Sequence, residues 1–277
     1  MTQCAAINLK KATVPNQTSP QPWQYHERTG HVLRPEDNPI QTEVIALAKY
    51  AEDHKMKINK NKTKIMVFNQ AKSVDILPEV KLDENELEVV EETKLLGIIL
   101  RNDLKWQSNT KNTLAKCYTR MWLLRNLQKY GATEAQMIEV YIQQIRSVAE
   151  MACPVWNSGL TLQEVTSLER IQRTAMAVIR GENHTNYREA LEHFKIKTLS
   201  DRREEQCLKF AIKAYQNPKF SKWFTKNTCE VNTRSEKLPL LPIRGRTKRF
   251  RNSPLPYLNN LLNTYLSKKL NLENVHI

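Results

Sequence analysis

Ile58-Asn-Lys-Asn-Lys-Thr-Lys-Ile-Met-Val-Phe68 places a lysine-rich turn directly before an apolar run. Lys94-Leu-Leu-Gly-Ile-Ile-Leu100 gives a second apolar run with a glycine inside it. A short, almost wholly apolar run bounded by charge reads as a strand covered on both faces, so Ile65, Met66, Val67 and Phe68 form one strand. Leu95 to Leu100 reads as the next strand, with Gly97 marking a bulge or a close backbone approach. Between Glu79 and Glu92 stand seven acidic residues against the single Lys81. A turn at Asp83-Glu84-Asn85 splits that stretch into Val80–Leu82 and Leu87–Val90. It serves either as an electrostatic counterweight to the neighbouring lysines or as a solvated hairpin edge protected by charge.

Working outward, Val44, Leu47, Ala48 and Ala51 recur at helical spacing and predict a helix from Thr42 to about His54-Lys55. Residues 1–41 hold five of the prolines and no periodicity, which predicts a loop-rich lead-in that Trp23 and Tyr25 help to pin. After Trp106 the pattern is helical throughout. Leu114, Cys117, Met121, Leu124 and Gln128 mark one stripe, stopped by Gly131. Thr133 with Gln136 forms a capping box for a helix through Met137, Val140, Ile145 and Val148. Thr161 opens a third helix carrying Leu168, Ile171, Ala175, Val178 and Ile179, with Gly181 after it. Shorter helices follow over 187–194 and 201–215, then a Pro-, Lys- and Arg-rich stretch and a small helix over 257–266.

The order of these motifs resembles the last palm elements of LINE-type (non-LTR) retrotransposon reverse transcriptases. There a Lys-Thr-Lys element leads into an apolar strand that closes the palm, and a Leu-Gly strand forms the primer grip. By that resemblance Leu95, Leu96, Gly97 and Ile98 are the grip. Asn102-Asp-Leu-Lys-Trp106 is similar to the family's Asp-x-x-Leu-x-Trp link into the thumb, although Asp103 stands directly before Leu104. Ala152-Cys-Pro-Val-Trp156-Asn-Ser-Gly159 and Leu168-Glu-Arg-Ile-Gln172 resemble the helical region behind the thumb. The resemblance spans roughly residues 22–265. It implies an α+β fold: a lead-in over 1–41, a small antiparallel palm-remnant sheet over 42–105, a mainly helical thumb and connection over 106–216, and a basic, Pro-containing tail over 217–277.

Polymerases of this class add nucleotides with a carboxylate pair at a hairpin tip and a further Asp, which together hold two Mg²⁺ ions. The family's pair is an aromatic-x-Asp-Asp motif a few tens of residues before Lys-Thr-Lys. Residues 1–26 contain no Asp or Glu, and none of the later acid pairs (Glu36-Asp37, Glu52-Asp53, Asp83-Glu84, Glu91-Glu92, Glu204-Glu205) is an Asp-Asp pair behind an aromatic. The resemblance therefore implies a C-terminal portion of an RNA-directed DNA polymerase, inactive alone, with no cofactor of its own. Mg²⁺ and a fingers/palm segment belong to the complete parent. Lys62 or Lys64 would be the lysine facing the leaving pyrophosphate. A stand-alone nucleic-acid-binding or scaffold module is the alternative. An enzyme with some other centre finds no Ser-His-Asp spacing, phosphate loop or His/Cys cluster to support it.

Charge favours a polyanionic partner, RNA or an RNA/DNA hybrid: 43 Lys and Arg against 29 Asp and Glu give a formal +14, with a pI near 9.5. Candidate phosphate contacts are Lys60, Lys62 and Lys64 in a run with Lys55 and Lys57. Lys111, Lys116, Arg120 and Arg125 join them on or near one side of the first thumb helix, as do Arg244, Arg246, Lys248, Arg249 and Arg251 in the tail. Each set is equally what a solvated face or a basic tail looks like. The tail set also resembles a nuclear-import signal. Trp122, Trp156 and Trp223 are either base-stacking surfaces or core. Five scattered cysteines without C-x-x-C spacing read as reduced intracellular thiols. No apolar run is long enough to cross a membrane.

Overall fold

The structure, a computed structural model, describes residues 2–6, 39–69, 79–183, 186–228 and 238–274. The expected lead-in, with Trp23 and Tyr25, lies largely outside them, as does Cys229 among the five cysteines. The chain divides into two compact units, Met1–Lys105 and Trp106–Ile277.

In the first unit, helix α1 (Pro39–Asp53) buries Val44 against Ile65, Val67, Val80, Leu82 and Leu87. It ends where Lys55 takes a left-handed conformation (φ 52°), the Met56 amide donates to the Ala51 carbonyl and the Lys55 amide to that of Glu52, a Schellman stop. Strand β1 (Thr2–Ala6) runs antiparallel to β2 (Lys64–Asn69). Strand β3 (Lys81–Leu82) forms a short hairpin with β4 (Asn85–Glu86), extended by the Leu87 amide donating to Val80. The expected strand over Leu87–Val90 is broken: β5 (Glu88–Val89) leaves the hairpin and pairs in parallel with β2. Gln41 acts as a one-residue neighbour to β3. Its amide nitrogen donates to the Lys81 carbonyl, and its amide oxygen accepts from the Lys81 N–H.

The second departure concerns Leu95 to Leu100. They do not form one strand. β6 (Glu92–Leu95) and β7 (Ile98–Arg101) pair antiparallel, closed by Leu95 opposite Ile98. Leu96 (φ 47°) and Gly97 (φ 92°) are the two turn residues. Two successive positive φ values are what a right-twisted two-residue hairpin demands, and glycine meets the second at no steric cost. The first unit is thus α+β, with a small, mostly antiparallel set of sheets.

The second unit is helical. Helix α2 (Gln107–Lys129) lies chiefly against α6 (Leu162–Arg180) and stops at Gly131 (φ 75°). Helix α3 (Glu134–Val140) continues through a π-helical segment, Tyr141–Arg146, into α4 (Ser147–Glu150). The remaining helices are α5 (Cys153–Trp156), α7 (Tyr187–His193), α8 (Leu199–Gln216), α9 (Lys248–Arg251) and α10 (Pro254–Asn274). The capping box expected at Thr133 with Gln136 forms, and Thr161, expected to open α6, forms a second one with Glu164. Cys117, Met121, Leu124, Tyr141, Ile145, Ile171, Ala175 and Cys207 are fully enclosed in the core. Each large aliphatic among them contributes about 1.5–3 kcal/mol.

The last described helix packs against α8. Helix α10 is longer than the 257–266 stretch expected, and it buries Leu258 and Leu262 together with Asn259 and Asn263. Asn263 accepts from the Leu240 amide and donates to its carbonyl, while Asn259 donates to the Leu241 carbonyl. Asparagines one turn apart on a helix therefore stitch an extended segment in place.

Candidate nucleic-acid interface

Helix α2 has no acidic residue over its 23 positions but carries Lys111, Lys116, Arg120, Arg125 and Lys129. Among the described residues, the ion pairs formed by the helical unit leave all five without a carboxylate partner. At about 100° per residue, the core side of α2 points along Cys117, Met121 and Leu124. Lys111, Arg125 and Lys129 share one exposed, outward stripe, within about 40° of its centre and turned roughly 110° from that core side. Lys116 and Arg120 fall on a flank roughly 140–180° from Lys111. The cations expected to share one side are thus divided. Arg120 has a structural engagement as well, because its guanidinium donates to the Gln144 carbonyl while Ser147 Oγ donates to the Gln143 carbonyl. Both carbonyls belong to the π-helical segment near its return to α-helix, where hydrogen-bond register changes by a residue. The outward stripe also carries Tyr118 and Trp122, with Trp122 66 % exposed.

In the first unit the lysine run meets the acidic stretch in space. Lys60 pairs with Asp83 at 2.8 Å and Lys64 with Glu88 at 2.8 Å. Sequence distance hid these partners, since Lys60 to Lys64 form a 3₁₀ turn and strand start directly beside the β3–β5 chain. Both pairs are half-open to solvent, where an ion pair is weak and exchangeable. Lys62 is exposed. The residues matched to the primer grip form the β6–β7 hairpin tip, from which Leu96 projects with 90 % of its surface free. Behind the tip, Arg101 donates through Nε to Asp103 at 3.1 Å and reaches Glu92 at 3.5 Å. Partial burial by itself would raise the Asp103 carboxyl. The Arg101 hydrogen bond and the Lys105 amide outweigh it and hold the group below the usual carboxylate range.

The two motifs matched behind the thumb are built into packing. Ala152 turns the chain in a left-handed conformation (φ 52°) before Pro154 enters the first turn of α5. Trp156 is buried, with its indole N–H donating to the Met151 carbonyl at 2.9 Å, so it belongs to the core and not to an open groove. Gly159 is needed because a Cβ there would lie 2.6 Å from the Trp106 indole. Asn157 accepts from Arg203 Nε at 3.0 Å and donates to the Tyr257 hydroxyl, tying α5 to α8 and α10.

In Leu168-Glu-Arg-Ile-Gln172, Gln172 is fully buried, with its amide oxygen and both amide hydrogens engaged. Its Oε1 accepts from the Tyr141 hydroxyl at 2.6 Å, and its Nε2 donates to Tyr187 and to the Lys197 carbonyl, each at 2.9 Å. Tyr187 donates onward to Glu169, whose carboxylate accepts the Leu199 and Ser200 amides at 3.2 Å. A carboxylate at a helix start satisfies orphan amides and complements the dipole of α8. Sequence reading matched this motif without seeing its work. The signal was present: Gln172 stands on the same face as Leu168 and Ala175, where a polar residue must be partnered.

The tail cations Arg244, Arg246, Lys248, Arg249 and Arg251 are exposed. The last three sit on α9, which Thr247 caps by accepting the Phe250 amide. Trp223 is 41 % exposed and tilts against Phe220. Among the described residues, no group of three His, Cys, Asp or Glu side chains is placed to hold a metal ion, and no helix is long and apolar enough to cross a membrane. Comparison with family models, with curated proteins and with solved structures finds no match.

Proposed function

We propose that this chain is the end-of-palm, primer-grip and thumb portion of a LINE-type RNA-directed DNA polymerase. Alone it is inactive in nucleotide addition, and it contacts template–primer RNA or RNA/DNA hybrid through phosphates. The observation that carries the binding half is α2, an acid-free helix with exposed, unpaired cations. The motif order carries the family half. A helix of this charge pattern tracks a phosphate backbone and reads A-like shape without base identity. The donors present do not fit a two-metal centre, so no nucleotide-addition step is assigned to these residues. In this reading Mg²⁺ and the catalytic carboxylates come with the parent's fingers/palm segment, and the β6–β7 tip supports the primer end through its backbone. The stand-alone binding module is the second reading, favoured by the helical unit having a core of its own.

Binding of a labelled RNA/DNA hybrid across a salt series tests the binding half. Three or four phosphate contacts give a log–log slope of about −2 to −4. The Lys111→Glu/Lys116→Glu/Arg125→Glu variant should abolish binding, with Arg120 left intact because it holds Gln144. Absence of binding at low salt refutes both readings. Adding a separately expressed fingers/palm segment and measuring Mg²⁺-dependent incorporation separates them, since only the polymerase reading expects activity.

A further inference from the structure

The outward stripe of α2 is more than a row of charges. Tyr118 and Trp122 stand one turn apart on it, 41 % and 66 % exposed. Neither ring stacks on an aromatic or a guanidinium among the described residues. Lys111 precedes Tyr118 by about 10 Å along the axis, and Arg125 and Lys129 follow Trp122 by roughly 4.5 and 10 Å. Ala115, the remaining stripe position, leaves the N-terminal side of Tyr118 open. Large apolar rings left in water need a reason, and here the same stripe has cations at both ends and no acid to repel a polyanion.

Resting on the proposed binding reading, we propose that this stripe is a stacking platform for single-stranded nucleic acid. Tyr118 and Trp122 each take the face of one unpaired base, while Lys111, Arg125 and Lys129 take the flanking phosphates. Paired bases in a continuous duplex keep their faces stacked on each other, so the rings select an unpaired strand over the hybrid. Stacking on aromatic rings tolerates any base, which makes the platform indifferent to sequence. An apolar protein partner would not need the basic ends, and a second copy of this strongly basic chain would be repelled by them.

The test compares a fluorescein-labelled oligothymidylate with a blunt RNA/DNA hybrid, using the full chain at fixed low salt. Tyr118→Ala/Trp122→Ala should bind the oligothymidylate at least about tenfold more weakly, with the hybrid affinity and the salt slope unchanged. Trp122→Phe should keep the affinity within about threefold while losing the quenching of tryptophan emission that oligothymidylate causes in the parent chain. The proposal is overturned if the double alanine variant keeps its single-strand affinity, or if both ligands weaken equally. It is also overturned if the variant changes only self-association seen by sedimentation. If the rings prove silent while the charge variants still lose the hybrid, the phosphate-contact reading stands without the platform. If neither ligand binds the parent chain, both fail together.

Discussion

Replacing Gln172 by leucine keeps a side chain of similar bulk and removes an amide with three partners. The Tyr141 hydroxyl, 2.6 Å from Gln172 Oε1, is in a fully enclosed side chain, so water cannot replace the lost acceptor. An orphaned buried hydroxyl costs about 1–3 kcal/mol. Burial already holds that hydroxyl protonated, with its pKa pushed well above the ordinary tyrosine value, so it must remain a donor. The Lys197 carbonyl and the Tyr187 hydroxyl each lose one ordinary bond, about 0.5–1.5 kcal/mol apiece. Lys197 is exposed and its carbonyl recovers part from water, while Tyr187 keeps Glu169. The expected loss is about 2–4 kcal/mol, a large part of the 5–15 kcal/mol typical of a domain. Urea unfolding followed by far-UV circular dichroism measures it. The sharper measurement adds Tyr141→Phe, which removes the stranded donor and should restore about 1–2 kcal/mol to the Gln172→Leu background. A loss under about 1 kcal/mol, or no restoration by phenylalanine, would refute the idea that this network is closed and dry.

Three further outcomes are expected. Burial pushes the Cys117 thiol up to about 12, against the opposing pull of Arg120 and Lys116, and an unfolded thiol titrates near 8.5. Its contribution is therefore complete below about pH 8.5 and fades as pH rises toward 12. Cys117→Ala should flatten that alkaline fall in a melting-temperature series, and an unchanged fall would assign it elsewhere. Thr161→Ala should cost about 1–2 kcal/mol and Thr133→Ala nearer 0.5–1, because Glu164 of the first box is buried and also accepts from Thr110; equal costs by chemical denaturation would contradict this. Leu96→Asn should stabilise the β6–β7 hairpin, whose turn favours Asn-Gly, and Gly97→Val should destabilise it. Amide exchange at Ile98 and Leu100 reads both, and the opposite order would refute the turn assignment.

The parts of the fold legible in sequence were those governed by local rules. The Thr133–Gln136 capping box, the helix start at Thr161, the stop at Gly131 and the apolar stripes of α2 and α6 follow from spacing alone. The turn at Leu96-Gly97 was hidden because leucine is an unusual occupant of a positive-φ position, so the glycine passed for a bulge. The π-helical segment left no trace, since Tyr141, Ile145 and Ala149 keep the four-residue spacing of an ordinary buried stripe. The last helix was expected only over 257–266, and the backbone bonds of Asn259 and Asn263 to Leu240 and Leu241 had no local signal. At the candidate interface, the lysine run was visible in sequence. Its pairing with Asp83 and Glu88 depends on how β3 to β5 fold back. The outward position of Trp122, against the buried one of Trp156, depends on which faces the neighbouring helices cover.

The missing acids of α2 also set how this helix folds. Lys116 with Arg120, and Arg125 with Lys129, are like charges four residues apart, each costing about 0.2–0.5 kcal/mol where an acidic neighbour would have been favourable. Tertiary packing overcomes that repulsion, and a bound polyanion would relieve it. Whatever neutralises α2 thus becomes a ligand of the native state, adding about 2.7 kcal/mol at a hundredfold excess over its dissociation constant. The chain should accordingly melt higher, and resist proteolysis longer, in the company of nucleic acid than in plain buffer.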